Sequence, residues 1–126
     1  MILGRLRMRV LRRMREVVGR VHGRGARVIG ATVVSAVGSA NTTAASNQKR
    51  LAQNEFIRNS GVFDAVADFD GATVDKESGG LRAEFVPDST TGGPGERLHP
   101  NRADYLAMAG AVDLKAVVVG VLALGR

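Results

Sequence analysis

The sequence predicts an α/β fold with a parallel sheet, and three observations lead to this prediction. A helical pattern fills the first 25 residues, and a β-branched apolar run at 27–34 follows after a short loop with two glycines. A second helical pattern and a second short apolar run then repeat this order as far as Asp70. Helices that alternate with short apolar strands are typical of parallel sheets.

Residues 1–25 predict a basic amphipathic helix. Its apolar residues recur at steps of three or four, the spacing of one helix face: they are Leu3, Leu6, Val10, Met14, Val17 and Val21. Residues 1–27 carry nine arginines and one glutamate, a net charge of +8, whereas residues 28–126 carry −2. We interpret the apolar stripe as facing the core and the arginines as solvated. Binding to an anionic membrane, an acidic partner or the phosphates of a nucleic acid is the alternative. Of these, nucleic acid is not the expected partner, since this stretch lacks the aromatic side chains that stack on bases.

The elements that follow are predicted from turn residues and apolar runs. The first helix is expected to end within His22–Gly25, and 27–34 to form a strand covered on both faces. A second helix, capped by the polar residues before it, runs to about Asn59. The segment 63–70 predicts a second strand that ends in a carboxylate pair.

The last part of the chain predicts a long loop, a helix and an apolar tail. Residues 71–98 are rich in Gly, Asp, Ser and Thr, which indicates a surface loop. The last helix is expected to begin at Pro100, and its predicted buried residues are Tyr105, Met108, Ala109 and Val112. The tail at 115–126 is too short to span a membrane, so we expect no transmembrane segment and interpret it as a buried strand or a helix end.

The composition predicts one domain over residues 1–126, because a chain of this length supports one modest core. It contains no cysteine, which excludes disulfides and thiolate metal sites. No signal peptide is expected, since arginine recurs before a long enough apolar stretch. The sequence does not predict a cellular compartment.

Glu96 and His99 are the candidate catalytic residues. A carboxylate three residues before a histidine, just ahead of a proline that opens a helix, fits the base and its orienting group in a hydrolytic triad. The histidine would take a serine proton through one ring nitrogen while the carboxylate holds the other N–H. By itself the spacing is common, and a solvated or capping histidine is the alternative. His22 is interpreted as a surface residue.

No metal and no cofactor is predicted. The two histidines are far apart, and Asp68 with Asp70 indicates a turn at a strand end. The early glycines precede the strand, so they lack the context of a phosphate-binding loop. None of the serines lies in a Gly-Asp-Ser or Gly-x-Ser-x-Gly context; those considered are Ser35, Ser39, Ser46, Ser60, Ser78 and Ser89.

Four stretches together resemble one enzyme family. They are Arg20–Val34, Gln53–Asp64, Asp68–Asp70 and Leu98–Asn101 followed by Ala103 and Tyr105. The most specific are the Asn-Glu-Phe-Ile-Arg segment, continued by Ser-Gly-x-Phe-Asp, and the Leu-His-Pro-Asn segment. Over residues 9–114 the chain resembles the C-terminal part of the SGNH hydrolases, also called GDSL-like lipases or acylhydrolases.

The resemblance implies a three-layer α/β/α, flavodoxin-like parallel sheet and hydrolysis of carboxylic esters. It also implies that His99 is the base and Glu96 its carboxylate, where the family pattern has aspartate. Arg102 and Asp104 replace the family's usual Asp and Gly. The family's Gly-Asp-Ser nucleophile block and its oxyanion-hole residues have no counterpart in this sequence.

The sequence therefore predicts a partial, truncated hydrolase domain that is inactive alone and acts on an ester substrate only if the missing half is supplied. The parent family is often secreted. A partial sheet would expose a strand edge, so self-association through that edge is a further expectation. The alternative is a non-catalytic module that binds anionic partners through its arginine-rich helix.

Overall fold

A computed structural model describes residues 2–117, with side chains from Met8 onward. The helices are α1 (Ile2–Gly23), α2 (Ala44–Asn59), α3 (Phe69–Thr73) and α4 (Arg102–Gly110), the strands are β1 (Ile29–Ala31) and β2 (Ala65–Ala67), and a 3₁₀ turn covers Ala83–Phe85. Residues 118–126, which make up most of the predicted apolar tail, lie outside the described part.

The two strands form a parallel sheet, with α2 in the connection between them. Ile29 pairs with Ala65, and Ala31 pairs with Ala67. The α/β class predicted from the sequence is therefore confirmed, but both strands are shorter than predicted. β1 ends early because the backbone of Val33 bonds to the side chain of Asn54 on α2 rather than to another strand.

The second strand stops at Ala67, so the prediction of a strand through Asp70 was wrong. The Asp68 side chain accepts a hydrogen bond from the Gly71 N–H at 3.0 Å and caps α3. A capping aspartate turns the chain into a helix, and the turn places Phe69 and Asp70 in α3.

The face of α1 that packs on the protein lies beside the predicted one. Val18 is 4% exposed, whereas Val10 is 44% and Val17 is 58% exposed. The half-buried residues next to Val18 are Leu11, Met14 and Val21. Their spacing fits a helix as well as the predicted stripe does, so periodicity alone could not choose between the two faces. The side chains of Leu3 and Leu6 lie outside the described ones.

The bounds and the N-terminal cap of helix α2 follow the prediction closely. The Thr43 side chain accepts a hydrogen bond from the Ser46 N–H at 3.1 Å, and the Ser46 hydroxyl accepts one from the Thr43 N–H at 3.0 Å. This reciprocal pair satisfies two backbone donors at the helix start. The helix ends at Asn59, as predicted.

Helix α4 begins two residues later than predicted and buries a different face. The Asn101 side chain caps it by accepting from the Asp104 N–H at 3.1 Å, so Pro100 lies outside the helix. Tyr105 is 47% exposed and Ala109 is also exposed, against the prediction. The fully buried residue of this helix is Asp104, because α4 packs on α3 and on the 3₁₀ turn through the face that carries it.

The predicted loop at 71–98 contributes to the core. Val74 and Leu81 form an isolated antiparallel bridge, and Leu81 is only 2% exposed. Phe85 and Val86, from the 3₁₀ turn and its end, are also buried. Apolar residues scattered among turn residues give no periodic signal, which is why the sequence predicted a surface loop with at most a short helical turn here.

Candidate functional site

The two residues predicted to be catalytic lie together in a tight turn. The Oε1 atom of Glu96 is hydrogen-bonded to Nδ1 of His99, and it also accepts the His99 backbone N–H at 3.2 Å. Arg97, between them, has a φ of 64°, a left-handed conformation that folds the turn back on itself. Both side chains are partly open to solvent, with 43% of Glu96 and 49% of His99 exposed.

The contact with the carboxylate distinguishes the two ring nitrogens of His99. A carboxylate accepts hydrogen bonds, so the proton of the neutral ring belongs on Nδ1. The other nitrogen, Nε2, then carries the free lone pair. Among residues 2–117 the Nε2 atom has no hydrogen-bond partner, and an unpaired, accessible Nε2 is able to accept and return a proton.

The Glu96 carboxyl is held in its charged form. The hydrogen bond from the His99 side chain lowers the pKa of Glu96 below its ordinary value, and the charge of the imidazolium adds to the effect, while partial burial opposes it. A carboxylate that stays ionised near neutral pH orients a histidine and stabilises its protonated form, and does not itself act as the base.

The turn lies beside the loop that follows β1. A Cβ atom built on Gly38 would come within 2.8 Å of Cδ of Arg97, so the two segments are in direct contact. Loops that follow the carboxyl ends of parallel strands are where ligands bind in α/β proteins. The Glu96–His99 pair is therefore at the end of the sheet that suits a binding site.

Each of the six candidate serines makes a hydrogen bond, and in the described part of the chain none is bonded to His99. Ser35 is 1% exposed and donates to the Gly79 carbonyl at 2.6 Å. The others bond to neighbours in their own turns: Ser39 to Thr42, Ser46 to Thr43, Ser60 to Val62, Ser78 to Asp75 and Ser89 to Thr91. The structure does not bring a serine nucleophile to the histidine.

A charged network at the ends of the strands was not predicted from the sequence. Arg58 on α2 binds Asp68 at 2.9 and 3.0 Å and Asp70 at 2.9 Å. Arg50, two turns earlier on α2, binds Asp70 at 2.6 Å, and the Thr32 hydroxyl donates to Asp68 at 2.8 Å. The sequence contains a signal for this network: Arg50 and Arg58 lie eight residues apart on one helix, and Asp68 and Asp70 form an Asp-x-Asp pair.

The two carboxylates of this network are already paired with its two arginines. The hydrogen bond from Arg58 lowers the pKa of Asp68 to about 2, and the same contact raises the pKa of Arg58. Both carboxylates are neutralised by guanidinium groups, so the network fastens α2 to β1 and α3. Within residues 2–117, no three histidine or acidic side chains are grouped as a metal site.

His22 takes part in a second histidine–carboxylate pair. Its Nε2 atom lies 2.7 Å from Oδ2 of Asp64, which also accepts the Val28 N–H at 2.7 Å. The hydrogen bond from His22 lowers the pKa of Asp64 below its ordinary value. Because Asp64 precedes β2, this pair lies at the amino end of the sheet and joins α1 to the strands.

Asp104 is the buried residue that local partners do not explain. It is 0% exposed, and neither carboxylate oxygen has a hydrogen-bond partner in the described part of the chain. Burial raises the pKa of this carboxyl. The sequence did not indicate the burial of Asp104.

No model of a known protein family matches the chain, and no curated protein does either. None of the helices in the described part is both long and apolar enough to cross a membrane.

Proposed function

We propose that this chain is the acid–base part of an SGNH-type ester hydrolase, with His99 as the general base and acid and Glu96 as its orienting carboxylate. The observation that carries the proposal is the contact between Glu96 and Nδ1 of His99, which leaves Nε2 without a hydrogen-bond partner among residues 2–117. The parent fold in this proposal is a three-layer α/β/α sheet that includes β1 and β2.

Two features support the choice of this pair over the other histidine. The Glu96–His99 turn touches the loop after β1, whereas His22 lies at the opposite end of the strands. The ring nitrogen also differs. Glu96 binds Nδ1 of His99, while Asp64 binds Nε2 of His22, and in serine triads the carboxylate binds Nδ1 and the nucleophile binds Nε2.

In the proposed reaction, Nε2 of His99 accepts the proton of a serine hydroxyl while the serine oxygen attacks the ester carbonyl carbon. The imidazolium, stabilised by Glu96, then gives this proton to the departing alcohol. Water repeats the sequence and releases the carboxylic acid. The serine belongs to the block that has no counterpart in this sequence, so we expect no acyl-serine turnover from the chain alone.

The pair is tested with an activated ester, because nitrophenolate leaves without needing a proton. We expect hydrolysis of p-nitrophenyl acetate above the buffer rate, assisted by His99. His99→Ala removes most of that excess, and Glu96→Gln lowers it, on the order of 10-fold, since the ring loses its orienting carboxylate. The release of nitrophenolate is followed by absorbance from pH 5 to pH 8.

His22→Ala is the matched control, because it removes the other histidine of a carboxylate pair. It is expected to keep the wild-type rate. Equal rates for His99→Ala and wild type, or equal losses in the two histidine variants, would contradict the assignment.

A second candidate function is a non-catalytic module that binds anionic partners through α1. The observation that favours it is the exposure of the arginines on the described part of this helix: Arg9, Arg12, Arg13, Arg15 and Arg20. Arg15 additionally lies 5.0 Å above the ring of Phe56 and so helps to hold the helix on α2.

A further inference from the structure

Within residues 2–117, the edge of β1 that faces away from β2 carries backbone groups with no hydrogen-bond partner. The Thr32 N–H donates to Ala67 at 3.1 Å, and the Val28 carbonyl accepts from the Asp64 N–H at 2.9 Å, so even-numbered residues face β2. Alternate residues of a strand direct their backbone groups to opposite edges. Ile29 and Ala31 therefore face away from β2, where the described residues include no further strand.

The next residue on the same side of the chain, just beyond β1, is already bonded by a side-chain amide. Val33 faces the same way as Ile29 and Ala31, and both of its backbone groups are taken by Asn54: the side-chain oxygen accepts the N–H at 2.8 Å and the side-chain amide donates to the carbonyl at 2.9 Å. This amide fills one position of the edge and leaves the two preceding positions open.

An apolar groove of about 580 Å³ runs along these open positions. Its floor is β1 with Val28, and one wall is α1, which contributes Val10 and Val17. These two valines and Ile29 are exposed large apolar side chains. A strand edge with an apolar wall is the surface to which an extended peptide adds, through backbone hydrogen bonds and alternate side chains.

The charge beside the groove favours an acidic segment over a second copy of this chain. Arg9 and Arg13 line it on the α1 side, within a segment of net charge +8. A second copy of this chain, paired edge to edge, would bring two such arginine helices together. A segment with carboxylates beside the two arginines is complementary instead.

We propose that the open edge of β1 binds an extended segment of another protein, with β-branched apolar residues at alternate positions and acidic residues next to Arg9 and Arg13. The segment adds a third strand to the sheet and places its apolar side chains in the groove. This binding site is independent of the proposed hydrolase chemistry.

The test uses the full chain and a fluorescein-labelled peptide of alternating valine and threonine flanked by glutamates, followed by anisotropy. Binding is expected for this peptide, and not for the same peptide N-methylated at alternate backbone nitrogens. Replacing the glutamates by lysines is expected to weaken binding about 10-fold, because the peptide charges then face Arg9 and Arg13.

Two matched variants test the edge within the protein. Ala31→Pro removes an N–H that faces the groove and is expected to weaken binding about 10-fold, whereas Ala31→Val keeps the N–H and the affinity. Arg13→Gln is expected to weaken binding of the glutamate peptide more than Arg12→Gln, since Arg12 does not line the groove.

Equal binding of the N-methylated peptide to the wild-type protein overturns the proposal without any variant. So does a polyglutamate peptide that binds as tightly as the valine peptide, because charge on α1 would then be sufficient. A dimer in sedimentation velocity that Ala31→Pro dissociates, with no peptide bound, assigns the edge to a second copy and also overturns it.

Discussion

At the scale of single residues, the Glu96–His99 pair was predictable and the other notable side chains were not. The pair is local, three residues apart in one turn, so its contact follows from the sequence spacing. The His22–Asp64 contact joins residues 42 positions apart. The burial of Asp104 likewise depends on how α4 packs against α3 and the 3₁₀ turn, which no local pattern specifies.

Asp104 is expected to destabilise the fold at neutral pH. Its two oxygens are buried without partners in the described part of the chain, so Asp104→Ala should raise the free energy of unfolding by about 1–3 kcal/mol at pH 7. Burial raises the pKa of the folded carboxyl above its usual 3.8. The folded state thus favours the protonated form of Asp104. The carboxylate therefore lowers the free energy of unfolding as the pH rises above 3.8.

Urea unfolding of Asp104→Ala and wild type at pH 7 and near pH 3.5 measures this effect. The stability gain should be largest at pH 7 and shrink in acid. Glu77→Ala, which removes an exposed carboxylate, is the control and is expected to change little. A variant that is less stable than wild type at pH 7 would show that the carboxylate has a stabilising partner.

At the scale of elements, helix ends were predicted better than strand ends. The glycines at the end of α1 are a local stop signal, and Thr43 is a local start signal for α2. Each helix ends or begins within a residue or two of its signal. The strands were overestimated because side chains replace strand pairing at their ends. Asn54 takes over the backbone of Val33, and Asp68 caps α3. The β-propensity of the sequence does not reveal that a side chain replaces strand pairing at either place.

Asn54 is therefore expected to determine where β1 ends. Asn54→Leu removes the partner of the Val33 N–H beside a side chain that is itself fully buried, while the Val33 carbonyl keeps its hydrogen bond from Arg50 at 3.1 Å. The loss of one backbone partner should cost about 1–3 kcal/mol of unfolding free energy. Chemical denaturation measures the loss. Gln48→Leu, on an exposed position of the same helix, is the matched control. Equal stability of the two variants would mean that water replaces the amide at no cost.

At the scale of the whole molecule, the most pronounced asymmetry is that of charge. Residues 1–27 carry +8 and residues 28–126 carry −2, and this division was readable from the sequence. Which face of α1 packs on the protein was not readable, because two adjacent stripes fit the helical period. The structure leaves Val10 and Val17 exposed together with the arginines.

This asymmetry predicts salt-sensitive binding to anionic surfaces. The chain should bind vesicles that contain phosphatidylserine at low ionic strength and lose most of that affinity near 0.15 M salt, since exposed charges are screened beyond about 8 Å. Co-sedimentation with the vesicles measures it, with neutral phosphatidylcholine vesicles as the control. The variant Arg12→Gln with Arg20→Gln should bind more weakly. Binding that does not change with salt would rule out the arginine face as its cause.

The packing of Phe63 against β1 has a consequence for how this sequence can change over time. A Cβ atom at Gly30 would lie 2.6 Å from the Phe63 ring, so even alanine at position 30 requires the ring to move. The two positions are thus epistatic: a larger residue at 30 becomes acceptable once residue 63 is smaller. We expect lineages of this sequence to change the two positions together, or to retain both.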